Sequence, residues 1–193
     1  MKNLGKFAVL GVALAVSATF AHATSVTYST TGVFSASGTS TATFGGGGNT
    51  LTLTYDPVAS VTVGAPTNAS AGQIVASVTG TGGTAAGNFT LNIFQTAPGV
   101  GSGSLVGALS GSFSSNSSTG DLLFSTLTLT LAGVNYNLQQ PIGGYLLVPP
   151  NTNGGVTSIQ MQIVPTPEPN SLMLLGTGLV GAAGMLFRRR VTV

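Results

Sequence analysis

Few groups in this chain could carry a reaction. Between Thr24 and Val164 the charged side chains are Asp56 and Asp121 alone, and Lys, Arg and His are absent from that span. Two carboxyls can hydrolyse a glycoside when they flank one bond, one protonating the leaving oxygen while the other attacks or activates water. Asp56 stands before Pro57 at the end of an alternating stretch, and Asp121 closes "TGD", so both read as turn residues. A Ser-His-Asp arrangement needs an imidazole, and the single histidine, His22, sits in an N-terminal segment expected to be removed. Zinc has no His or Cys to bind there. Calcium could draw oxygens from "NSSTGD", but the alternating acidic pattern of a calcium loop is missing and a solvated turn explains the stretch better. The expectation is therefore no catalytic residue, no metal site and no cofactor: a non-enzymatic protein.

The 193 residues leave room for one ordinary domain with short extras. The formal charge of +2 misleads, because every base is terminal: Lys2 and Lys6 at the front, Arg188, Arg189 and Arg190 at the back. A nucleic-acid partner requires cations that displace phosphate counterions, so that class is excluded. "MKNLGKFAVLGVALAVSATFAHA" has the basic start, short apolar run and small-residue end of a secretory signal peptide. Residues 1–23 are assigned to it, with signal peptidase reading Ala21 and Ala23 and cutting after Ala23.

Thr24–Val164 is rich in Ser, Thr, Gly, Ala, Asn and Val, and its dominant pattern is strand-like alternation. Leu51, Leu53 and Tyr55 alternate with Thr50, Thr52 and Thr54; Leu127, Leu129 and Leu131 alternate with Thr126, Thr128 and Thr130. Further strands are expected at 25–29, 39–44, 59–63, 73–79, 88–95, 105–114, 134–138, 145–148 and 156–164. "GGGGN", "GTGG", "PGVGSG", "SSNSSTGD" and "PPNTNGG" supply turn chemistry between them. This predicts an all-β fold, an antiparallel β-sandwich or jelly-roll-like domain, flanked by an N-terminal signal helix and a C-terminal transmembrane helix. The expected core is Phe34, Phe44, Leu51, Leu53, Val61, Val63, Ile74, Val78, Phe89, Leu91, Ile93, Phe113, Phe124, Leu127, Leu129, Ile159 and Ile163. Strand edges are usually guarded by charges; with almost none here, self-association or contact with neutral polymers is expected.

The remaining segment, 165–193, begins "PTPEPNSLMLLGTGLVGAAGMLFRRR". Ser171–Phe187 carries no charge and as a helix would be roughly 25 Å long, the short limit for a bilayer span. Arg188–Arg190 would stop transfer and stay cytoplasmic. Pro165, Pro167 and Pro169 keep the chain before it extended. "GTGLVG", 176–181, matches a dinucleotide fingerprint in letters only, since no βαβ unit surrounds it; glycines that let membrane helices approach explain it better. The segment closely resembles the PEP-CTERM sorting signal of Gram-negative bacteria, with Pro167-Glu168-Pro169 as the motif, an apolar helix, and Arg188–Arg190 as the basic cluster. The resemblance implies a substrate of exosortase, which reads the motif and removes the tail. It further implies export across the inner membrane, transient anchoring there, and delivery to the cell surface or an exopolysaccharide (biofilm) matrix.

Three roles remain for the domain. A structural or adhesive matrix protein fits the empty chemistry. A carbohydrate-binding module would use exposed aromatics, for which only Tyr28, Tyr55, Tyr136 and Tyr145 are at hand, since Trp is absent. A hydrolase would need Asp56 and Asp121 to meet. The threonine rows could also order water or ice, although Thr is simply a good polar strand residue.

Overall fold

A computed structural model describes residues 24–166 and 175–182. Residues 24–166 form twelve strands: β1 (Thr24–Phe34), β2 (Thr41–Gly46), β3 (Asn49–Asp56), β4 (Val61–Ala65), β5 (Thr67–Thr79), β6 (Gly83–Ala97), β7 (Gly101–Phe113), β8 (Asp121–Phe124), β9 (Thr128–Leu131), β10 (Val134–Leu138), β11 (Tyr145–Leu146) and β12 (Val156–Pro165). They build two antiparallel six-stranded sheets, ordered β11-β8-β7-β6-β1-β4 and β2-β3-β5-β12-β10-β9. Four of the ten neighbouring pairs are consecutive (β2-β3, β6-β7, β7-β8 and β9-β10). The other six join strands distant in sequence, and the chain passes between the two sheets seven times, as a sandwich of this kind requires.

Alternation decides which side faces in. Along β1 the buried positions are Val26, Tyr28, Thr30, Gly32 and Phe34; along β3 they are Leu51, Leu53 and Tyr55. The inner faces meet in one core, where the Phe89 ring lies 4.9 Å from Phe34 and 5.2 Å from Tyr55. Both spacings suit offset aromatic contact. Gly32 makes room for this cluster, because a Cβ there would stand 2.5 Å from the Phe89 ring and 2.6 Å from Tyr55. Gly72 sits under the Tyr55 ring at φ +109°, where the register of β5 against β12 shifts at Ile159/Gln160. A side chain at that φ would be strained.

The Gly-rich separators do what their chemistry requires. In "GGGGN", Gly47 and Gly48 take φ of 63° and 88° between β2 and β3, the left-handed pair a tight hairpin turn needs. The strands run longer than their alternation suggests, notably β5, β6 and β7, and Asp121–Phe124 forms an additional strand. Two expected core residues lie at the surface. Val61 opens edge strand β4, and Leu127 precedes the first residue of β9, so neither has a second sheet over it. Phe44, Val63, Val78 and Leu129 are half-buried against the core, and the other expected core residues are buried.

Of the C-terminal segment, residues 175–182 are helical and exposed, and among the described residues no helix is long and apolar enough to cross a membrane. "GTGLVG" lies within this helix and follows no described strand of a βαβ unit. The signal segment 1–23, the motif Pro167-Glu168-Pro169 and Arg188–Arg190 lie outside the described residues.

Candidate functional site

Asp56 and Asp121 do not converge. Asp56 ends β3 in one sheet and is exposed; Asp121 begins β8 in the other. Each follows or precedes a buried residue, Tyr55 and Leu122, so each points outward from its own sheet with the core between them. Asp56 Oδ2 accepts a 2.9 Å hydrogen bond from Gln73 Nε2, its cross-strand neighbour. Asp121 Oδ1 accepts one of 2.7 Å from Ser110 Oγ, its own neighbour on β7. Each carboxylate is tied to a cross-strand neighbour of its own sheet, the two lie on opposite surfaces, and no single glycosidic bond could lie between them. Among the described residues no cluster of three His, Cys, Asp or Glu could hold a metal ion.

The four tyrosines are in the core instead of on a sugar platform. Tyr28, Tyr55, Tyr136 and Tyr145 are all buried, because each occupies an inward position of its strand. A buried phenol must find a partner, and each one does. Tyr28 donates to the Ser70 carbonyl at 2.8 Å, Tyr136 to Gln95 Oε1 at 2.8 Å and Tyr145 to the Gln160 carbonyl at 3.2 Å. Tyr55 bonds both the Ala71 carbonyl and Thr30 Oγ1. With its one proton on the carbonyl, the Thr30 hydroxyl donates back to it, while Val58 N–H donates to Thr30 Oγ1 at 2.9 Å. Desolvation pushes the Tyr55 and Tyr145 phenols up to about 12 and raises Tyr28 and Tyr136 as well. No buried side-chain nitrogen or oxygen among the described residues lacks a partner.

The threonine rows do face outward, and register joins them to a wider surface. On the outside of the second sheet Thr41 donates to Thr54 and Thr43 pairs with Thr52, both at 3.3 Å. At the other edge Thr128 donates to Asn137 Oδ1 at 2.9 Å and Thr130 to Asn135 Oδ1 at 2.7 Å. Asn137 lies opposite Gln162, and Gln139 Nε2 reaches Asn68 Oδ1 at 2.9 Å. This six-strand-wide face is mainly hydroxyls and amides, interrupted by the half-buried Val75, Val156 and Val164, and among the described residues its one charge is Asp56. Its amide half escaped the sequence reading, because Asn and Gln on β5, β10 and β12 become neighbours only through pairing.

Where the chain leaves the sandwich also depends on pairing. Pro165 ends β12 opposite Val134, and Thr166 N–H donates to the Gly133 carbonyl at 2.8 Å. The sheet therefore grips the chain up to the residue before Pro167. At the other terminus Thr24, the residue after the expected signal cleavage, already pairs with Ala65 in β4.

The model of the PEP-CTERM protein-sorting motif matches residues 165–190. The chain thus carries the C-terminal tag that marks a protein for exosortase, with export and membrane-associated sorting toward the cell surface. The match covers the tail and leaves the sandwich unassigned; no curated protein and no solved structure matches the chain.

Proposed function

We propose that this is a non-enzymatic surface or exopolysaccharide-matrix (biofilm) protein. Residues 1–23 direct export and are removed by signal peptidase after Ala23. The apolar tail then holds the sandwich at the membrane while exosortase reads Pro167-Glu168-Pro169 and detaches it. The observation that carries this reading is the seam between the two parts. The sorting-motif match begins at residue 165, where the last strand ends, so a finished domain is followed directly by an address. The separation of Asp56 and Asp121 supports a role without catalysis. Replacing Pro167, Glu168 and Pro169 together by alanine should make unprocessed, longer protein accumulate in membranes and abolish surface display. Unchanged processing and location in that variant would overturn the proposal.

A second reading, retention of a polysaccharide by the domain, is favoured by one observation: the outward hydroxyl and amide face of the second sheet. Its cross-strand bonds hold donors and acceptors in place before a ligand arrives, which lowers the ordering cost of binding. Without a cation, that face suits an uncharged polymer. Mature protein should be retained on neutral polysaccharide, and Asn135→Ala with Asn137→Ala should weaken retention. Equal retention of that double variant would remove this face from consideration.

A further inference from the structure

One end of the sandwich gathers everything that leads toward a membrane. Thr24 enters there, paired with Ala65, and a single residue, Pro66, links Ala65 to Thr67, which pairs with Ile163 of the departing strand. The β9–β10 turn, Ala132 and Gly133, holds the exit through the Thr166 bond. The β6–β7 turn packs directly on it, since a Cβ on Gly99 would stand 2.8 Å from the Ala132 Cβ. The tip of that turn is Val100, 86% exposed. Entry, exit and Val100 thus share one small surface.

Among the described residues no charged side chain lies on this surface; cleavage after Ala23 would add the α-ammonium of Thr24, and Glu168 follows two residues beyond Thr166. Asp56 pairs with Gln73, six residues along β5 from Thr67 and so about 20 Å away. Asp121 pairs with Ser110, nine residues along β7 from Gly101, about 30 Å away. The opposite end is reached at Phe113, roughly 40 Å along β7.

Chain length then sets how far this end can stand from lipid. From Thr166, the last residue held by the sheet, to Ser171, where the uncharged run begins, there are five residue steps, at most about 18 Å when fully extended. Headgroups occupy roughly 5–8 Å of that on each side of the hydrocarbon. Any tilt of the connecting residues shortens the gap further.

We propose that, while the tail is embedded, the sandwich stands end-on against the bilayer surface, with Val100 and the two turns beside it as the contact. This rests on the reading of the tail as a membrane segment. No charged side chain among the described residues of this end opposes the headgroup layer, the α-ammonium of a mature Thr24 is compatible with anionic headgroups, and an exposed aliphatic tip gains by leaving water for the interface. Exosortase would accordingly meet the sorting motif with the folded domain beside it, in a fixed orientation.

The chain contains no cysteine, so single-cysteine probes report cleanly. Full-length protein with Val100→Cys, Ala132→Cys or Ser117→Cys, the last on the far-end β7–β8 connection, is labelled with an environment-sensitive fluorophore. It is studied in membranes from cells lacking the processing enzyme, with circular dichroism confirming the fold. The proposal expects probes at 100 and 132 to be quenched by headgroup-level spin-labelled lipid and shielded about threefold from aqueous iodide relative to the probe at 117. Equal iodide quenching at all three sites, in protein that resists carbonate washing, would overturn the end-on contact alone. Release by carbonate would instead overturn the membrane-anchored reading and the contact with it.

Discussion

The two sheets have alike inner faces and unlike outer ones. Inside, both alternate Leu, Ile, Phe and Tyr into a shared core. Outside, the second sheet is mainly hydroxyl and amide, with Thr, Asn and Gln bonded across strands around a few half-buried valines. The first sheet exposes Phe94, Val106, Leu123 and Leu146 among its serines and threonines. The fold requires only that one side of each sheet leave water; the outer side is free of that demand and can carry whatever contact the protein makes. The polar outer face is the better candidate for polymer, and the apolar outer face for self-association.

The largest effect should come from the shared interior. Phe89 touches aromatics of both sheets, so Phe89→Ala should cost about 3–5 kcal/mol, measured by urea denaturation. Phe94→Ser, five residues along the same strand but outward, should change stability by no more than about 0.5 kcal/mol. A comparable loss for both would mean that the outer face of the first sheet is itself structural.

Alkaline titration is next in size. The phenols have folded pKa values raised above the unfolded value near 10, so the native state holds its protons more tightly. Their contribution is fully present below about pH 10 and is lost as pH rises toward about 12, at roughly 1.4 kcal/mol per pH unit for each such tyrosine. Tyrosinate absorbance should appear together with loss of the sheet signal; ionisation well before unfolding would show the tyrosines are accessible. The smallest effect separates the outer faces. Leu123→Ser with Leu146→Ser should lower self-association in sedimentation while leaving the fold intact, whereas Thr43→Val with Thr52→Val should leave association unchanged and alter stability by less than about 0.5 kcal/mol. The reverse ranking would exchange the roles of the two faces.

Much of this protein is determined locally. The two-residue period of "TLTLTY" places Leu51, Leu53 and Tyr55 inside whatever their partners are, and Gly47-Gly48 turns the chain because glycine tolerates positive φ. The sorting tail is a linear tag, and its letters are legible without a fold. The tertiary structure decided what depends on pairing between distant segments. It buried the tyrosines that composition offered as sugar platforms, set Asp56 and Asp121 on opposite surfaces, and aligned Asn and Gln of three strands into one face. It also brought Thr24, Val100 and Thr166 to one end. Alternation is a property of neighbours along the chain, whereas register and sheet order are chosen by the total burial and hydrogen bonding of the assembled core, and no short stretch contains that sum.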